Sequence, residues 1–193
     1  MNRYAELKGR LKKLIPTLNN FLKTVSANEI LIAEHEKDKT ACILMHVDRI
    51  TGTCLVKGET VTLDESKVFY IYNSPTVDFV PIDGNQGLLN GSSNCDFVFY
   101  NEVNFCFVEL KLNATSMEER AIRKNRVKAA NQLTNTIAYF DAILGKDYSG
   151  LNLEAYISTP DMYPRENTAF QSVKVKFLET TGIELFESRE KRY

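Results

Sequence analysis

Three ionisable residues interrupt the two most apolar segments of the chain. Asp96 lies in residues 95–100, and Glu109 and Lys111 lie in residues 105–112. Burying a lone charge in an apolar strand is costly, so carboxylates at such positions have to be paired, neutralised or bound to a metal ion. The local structure determines which of these side chains come together.

The register of the hairpin formed by the two segments decides which of the three side chains lie close together. The polar residues 101–104 join the two segments and are few enough to form a hairpin turn. If Asn101 pairs with Asn104, Asp96 lies directly opposite Glu109. The Cβ atoms of opposed residues are about 4.5–5.5 Å apart, and like charges at that distance destabilise a sheet unless a proton or a cation lies between them.

Lys111 returns to the same face two residues after Glu109. Two carboxylates and one ammonium group are then close together, and Mg²⁺ binds to one or two carboxylates together with waters and substrate phosphate. With Lys111 helping to deprotonate or orient a water, this is the chemistry of phosphodiester hydrolysis. The alternative is an ion pair of Lys111 with Asp96 or Glu109 that only holds the hairpin in register.

Hydrophobic periodicity predicts the elements that position these residues. Helical spacing indicates one or two helices over residues 2–23, interrupted at Pro16, and a long helix over 117–144, with Thr115 or Ser116 as its N-cap and Gly145 as its stop. Short β-branched and aromatic segments predict strands at residues 29–33, 41–47, 53–56, 60–63, 67–72, 95–100, 105–112, 151–158, 172–178 and 183–186, although residues 29–36 could equally extend a helix. Prolines and glycines predict a surface loop over 74–93. The expected class is α/β or α+β, with a mixed β-sheet flanked by helices.

The motif of Asp96 followed by Glu109-Leu110-Lys111 resembles the D…E-x-K signature of the PD-(D/E)-x-K nuclease superfamily. Members of that superfamily carry the Asp on one strand, the E-x-K on the next, and a long helix after it. Gln132 and the four residues after it are similar to the helical Gln motif of many members. The resemblance covers residues 94–140, and Cys95 stands where the name-giving Pro would be.

The resemblance implies a restriction-endonuclease-like fold in a single domain of residues 1–193 and a Mg²⁺- or Mn²⁺-dependent nuclease that cleaves DNA or, as second choice, RNA. It implies that Asp96, Glu109 and the Leu110 carbonyl bind the metal, that Lys111 is the catalytic lysine and that Gln132 is an orienting residue of the site. An acidic residue near the N-terminus often completes such a site, and Glu6, Glu34 and Glu36 are all candidates. The other reading is a catalytically inactive nuclease fold that acts as a binding or immunity-type module through a protein partner.

A basic stripe on the long helix is the candidate substrate-binding surface. Arg120, Lys124 and Lys128 recur every four residues and lead towards Gln132, with Arg123 and Arg126 beside them. Such a stripe could follow a phosphate backbone without reading sequence. A solvated helix face, partly neutralised by acidic neighbours, has the same pattern.

Composition limits the remaining possibilities. The 193 residues carry 24 Lys plus Arg against 25 Asp plus Glu, and 44% are hydrophobic, so we expect a folded chain and exclude a histone-like binder. Four cysteines in apolar segments predict buried free thiols. We find neither a signal peptide nor a membrane span, and expect a cytoplasmic protein that contacts nucleic acid and no membrane, and that forms a homodimer or binds a protein partner.

Overall fold

The structure is a computed structural model that describes residues 2–73, 76–89, 93–164 and 168–193. Its α-helices are α1 (Arg3–Leu14), α2 (Glu119–Leu144) and α3 (Thr168–Thr181), and short 3-10 helices span Pro16–Asn20 and Glu65–Lys67. The strands are β1 (Lys23–Val25), β2 (Glu29–Glu34), β3 (Ala41–Ile43), β4 (Met45–Asp48), β5 (Thr53–Val56), β6 (Glu59–Thr62), β7 (Phe69–Tyr72), β8 (Val77–Pro81), β9 (Phe97–Tyr100), β10 (Asn104–Leu110), β11 (Asn152–Ser158), β12 (Glu184–Glu187) and β13 (Glu190–Arg192).

The described strands form three sheets. A six-stranded mixed sheet has the order β1-β8-β9-β10-β11-β12, a four-stranded sheet has the order β13-β7-β2-β3, and β4-β5-β6 form a small antiparallel sheet. Strands β10, β11 and β12 are parallel, whereas β8, β9 and β10 are antiparallel. The mixed α/β class expected from the sequence is confirmed.

Strand β10 lies in the middle of the six-stranded sheet and is buried on both faces. Phe105 and Phe107 pack with the helices in one hydrophobic cluster, and Cys106 and Val108 pack with the four-stranded sheet in another. A third cluster lies between the four-stranded sheet and the small sheet. Because both faces of β10 are apolar, the polar residues at its end lie against a dense core.

Two predicted elements are wrong. Residues 172–178 lie in α3 and not in a strand, because Phe170 and Phe177 are buried seven residues apart on one helix face although the intervening residues alternate as in a strand. The predicted surface loop over 74–93 contains β8, whose five residues are all buried despite Pro81 at its end. Residues 74, 75 and 90–92 of that loop lie outside the described part of the chain.

Smaller differences concern the ends of elements. The N-cap of α2 is Glu118 and neither Thr115 nor Ser116, although the Ser116 hydroxyl accepts a hydrogen bond from the Glu118 N–H. The strand predicted at 41–47 is two strands, β3 and β4, and the short strands β1 and β13 were not predicted. Gly145 ends α2 in the left-handed conformation, as predicted.

All four cysteines are buried and free, as their apolar segments predicted. Among the helices of the described residues, none is both long and apolar enough to cross a membrane.

Candidate active site

The hairpin has the register predicted from its turn. Tyr100 pairs with Phe105 and Val98 pairs with Phe107, which makes Asp96 and Glu109 the next positions beyond the last paired residues. At this point a side-chain hydrogen bond takes the place of a backbone bond between the two strands: Asp96 Oδ2 accepts from the Leu110 N–H at 2.5 Å. The two carboxylates therefore meet where β9 begins and β10 ends.

Lys111 and Gln132 complete a continuous polar network. The Lys111 ammonium donates to the Glu109 carboxylate and, at 2.9 Å, to the Gln132 side-chain oxygen. The Gln132 amide nitrogen in turn donates to the Asn94 carbonyl at 2.9 Å. Helix α2 is thus bonded both to Lys111 after β10 and to the segment before β9, and the structure brings together all four residues of the predicted catalytic set.

Burial controls the protonation of the two acids. Asp96 is 8% exposed and Glu109 is 1% exposed. Loss of hydration raises the pKa of Asp96 from 3.8 to about 7, against the lowering effects of the Leu110 N–H and the Lys111 charge. Burial, followed by the charge of Asp96, holds the pKa of Glu109 well above its ordinary value. Two carboxylates with strongly raised pKa values in one place are typical of functional sites.

Glu109 also carries an unused acceptor. Its Oε2 is buried and has no hydrogen-bond partner among the described residues. A buried carboxylate oxygen without a donor is costly, and a cation beside it would remove that cost. Within the described residues no group of three or more His, Cys, Asp or Glu side chains is arranged to hold a metal ion. Two carboxylates nevertheless suffice for Mg²⁺, which keeps several waters.

Of the three candidates for a further acid, the structure favours Glu34. Glu34 and Glu36 line a cleft of about 410 Å³ together with Leu110. The negative charge of Glu34 contributes to the raised pKa of Asp96, after burial. Glu6 instead lies exposed one turn after Asn2, whose side chain donates to Glu102 at the opposite end of the hairpin.

Asp83 is an acid that the sequence analysis missed. Its N–H approaches the Asp96 carbonyl at 3.4 Å, and its charge adds to the raised pKa values of both Asp96 and Glu109, behind burial. It follows β8, so it was hidden inside the predicted surface loop. The only available signal was an acidic residue directly after residues 77–82, which are apolar except for Asp78.

The basic stripe is exposed as predicted, with one exception. Arg120, Lys124 and Lys128 are exposed on α2 and form no ion pair with any described residue. Arg126, expected beside them, is 1% exposed and binds Glu187, with Nε–Oε1 and Nη2–Oε2 distances of 2.9 and 2.7 Å. It points inward because it shares the buried face of α2 with residues such as Ala129 and Leu133.

Comparisons with known proteins show a weak similarity to part of a bacterial cytotoxin. No family model matches the chain, and no solved structure matches it. The chain is 24% identical, over an alignment of 209 positions, to Cytotoxin-L of Paraclostridium sordellii, both in the species and in a named strain of it. The alignment includes 96% of this chain but only 8% of the cytotoxin, so the chain spans a small part of the curated relatives it matches.

Proposed function

We propose that this chain is a metal-dependent nuclease of the PD-(D/E)-x-K type that hydrolyses phosphodiester bonds of DNA, with RNA as the second choice. The observation that carries the proposal is the meeting of Asp96, Glu109 and Lys111 at one end of a buried hairpin, with Gln132 reaching them from the following helix. A cytoplasmic location and a homodimer or protein partner, both expected from the sequence, belong to the same proposal.

Asp96, Glu109 and the Leu110 carbonyl would hold Mg²⁺ or Mn²⁺ in this proposal. When bound, the ion supplies Lewis-acid polarisation of the phosphate and a more acidic water. The unpartnered Oε2 of Glu109 is the acceptor most in need of such an ion. Half-buried Leu110, which follows Glu109 in the chain, also lines the cleft of about 410 Å³.

Lys111 is the residue that would act on the reacting groups. Its ammonium group can donate a further hydrogen bond to a water or a phosphate oxygen and can stabilise the negative charge that develops on the phosphate. Gln132 would be a positioning residue, because its oxygen holds Lys111 while its amide nitrogen is fixed on the Asn94 carbonyl. Preorganised donors of this kind are worth most where burial excludes water.

Arg120, Lys124 and Lys128 would bind the nucleic-acid backbone. They are exposed on the same helix that carries Gln132, and their side chains form neither hydrogen bonds nor ion pairs with other described residues. Contacts of this type add affinity that falls steeply with salt and carry no sequence information. These three residues are therefore expected to add little sequence specificity.

The test is a cleavage assay on plasmid DNA, single-stranded DNA and single-stranded RNA with Mg²⁺ or Mn²⁺. Lys111→Gln and Asp96→Asn should each reduce cleavage at least about 100-fold, because each removes a charge at the site. Lys13→Gln, an exposed lysine of α1, is the matched control and should cleave like the wild type. Unchanged cleavage in either site variant would overturn the assignment.

A second candidate is the inactive nuclease-fold module that acts through a protein partner. It is favoured by the closed network in which Lys111 already binds both Glu109 and Gln132. This candidate predicts no metal-dependent cleavage and no loss of partner binding in Lys111→Gln. The cleavage assay separates the two candidates directly.

A further inference from the structure

Two cavities share a wall at the end of the four-stranded sheet. The first is the cleft of about 410 Å³ beside Leu110, and the second is a pocket of about 300 Å³ between the four-stranded sheet and the small sheet. Glu34, Glu36 and Lys67 line both of them. The cleft beside Leu110 therefore continues into a second space that the proposed hydrolysis does not use.

The second pocket has an apolar floor and a charged rim. Four buried side chains and two partly buried ones form its apolar lining: Leu44, Cys54, Val56, Val68, Val61 and Leu63. Lys37, Glu59 and Asp64 are among the charged residues around it. Mostly apolar walls with a few polar groups at the edge are typical of pockets that bind small organic groups.

The cleft offers cations for a phosphate. Lys39 lies 3.5 Å from Glu34 and Lys67 lies 3.4 Å from Asp64, which are long distances for ion pairs, and the two lysine side chains are 62% and 45% exposed. Loosely held lysines can turn to an anion at little cost, and lysine binds phosphate as a point charge. Glu34 and Glu36 provide acceptors of the kind that bind the amino groups of bases.

We propose that the pocket and the cleft together form a nucleotide subsite, with a nucleobase in the apolar pocket and its phosphate beside Lys39 and Lys67. This inference rests on the proposed nuclease function, because it places the next phosphate of the strand at Asp96, Glu109 and Lys111. A base stacked inside a duplex cannot enter such a pocket, so the subsite selects single-stranded or unpaired nucleotides.

The first test measures binding of adenosine, guanosine, cytidine and uridine 5′-monophosphates to the full chain by ¹H–¹⁵N NMR titration. Binding of at least one should shift amide signals around Val61 and Lys67. Val61→Trp, which fills the pocket, and Lys67→Ala should each weaken that binding at least tenfold. Lys13→Ala is the matched lysine control and should leave it unchanged. A thermal melt identifies a Val61→Trp chain that has not folded, and Lys67→Ala then decides alone.

The second test sequences the ends of products cut from a single-stranded DNA pool of random sequence. The wild type should show a base preference next to the cleaved bond, and Val61→Trp should lose the preference while it still cleaves. Nucleotide binding without any cleavage would support the subsite and overturn the nuclease. Cleavage with no monophosphate binding and the same base preference in Val61→Trp would overturn the subsite and leave the nuclease in place.

Discussion

Replacement of Asp96 by Asn should stabilise the protein while it removes activity. The Asp96 carboxylate is buried, and its pKa rises from 3.8 to about 7 on folding. Between these two values the folded chain binds more protons than the unfolded chain, so this group lowers the free energy of unfolding as the pH rises. Asn keeps an oxygen that can accept the hydrogen bond from the Leu110 N–H. Because Asn carries no charge, the variant does not incur the cost of ionising a buried carboxyl group.

The size of the effect follows from the same two pKa values. The full difference corresponds to about 4 kcal/mol at alkaline pH, and the part that develops between pH 5 and pH 8 is about 2–3 kcal/mol. For a chain of this size, the part that develops between pH 5 and pH 8 corresponds to a growth of about 5–10 °C in the Tm advantage of the variant over the wild type. Loss of the Asp96 charge also lowers the cost of ionising Glu109, which acts in the same direction.

The assay is urea denaturation of the wild type and Asp96→Asn at pH 5 and pH 8, with EDTA present to remove divalent cations. The advantage of the variant should grow from pH 5 to pH 8. An advantage that is equal at both pH values, or a variant less stable than the wild type at pH 8, would refute the claim that Asp96 is held at a desolvation cost.

Three further predictions concern a buried ion pair, a glycine turn and the basic stripe near the site. Arg126→Met should lower the free energy of unfolding, measured by urea denaturation, by about 3–5 kcal/mol, because it leaves the Glu187 carboxylate buried without its ion-pair partner. The double variant Arg126→Met/Glu187→Leu should recover most of that stability. Equal losses in the single and double variants would contradict the pairing argument. Gly84→Ala should cost about 2 kcal/mol or more, since φ is +91° and a Cβ would lie 2.5 Å from the Lys39 carbonyl oxygen, whereas Gly9→Ala in α1 should be neutral or stabilising; a harmless Gly84→Ala would show that the turn can relax. Replacing Arg120, Lys124 and Lys128 together by Ala should make the negative slope of log affinity against log salt concentration for single-stranded DNA shallower by about 2. An unchanged slope would show that these residues do not contact the phosphate backbone.

The site was easier to predict from the sequence than the elements around it. The hairpin needed only a short turn and two apolar segments, and period two then placed Asp96, Glu109 and Lys111 on one face. The structure confirms the hairpin pairing, and it places Gln132 on Lys111. Local geometry was enough because these residues are close along the chain.

Residues brought in from a distance could not be predicted in the same way. Glu34 comes from a strand of the other large sheet and Asp83 from the end of β8, and no local spacing relates either to Asp96. Strand β8 was missed because Pro81 and the nearby glycines favour a loop, and an edge or end position in a sheet tolerates proline. Helix α3 was missed because its alternating valines and lysines follow strand periodicity, and tertiary packing of Phe170 and Phe177 decides otherwise.

The most direct test of the central claim is calorimetric titration of Mn²⁺ into the wild type, Glu109→Gln and the control Glu6→Gln, with single-stranded DNA incubated with samples of each. If Glu109 holds the metal ion, the wild type and Glu6→Gln bind Mn²⁺ and cleave, and a folded Glu109→Gln does neither. A well-folded wild type that binds no Mn²⁺ and cleaves nothing would contradict this assignment and leave Glu109 and Lys111 as an ion pair that holds the hairpin.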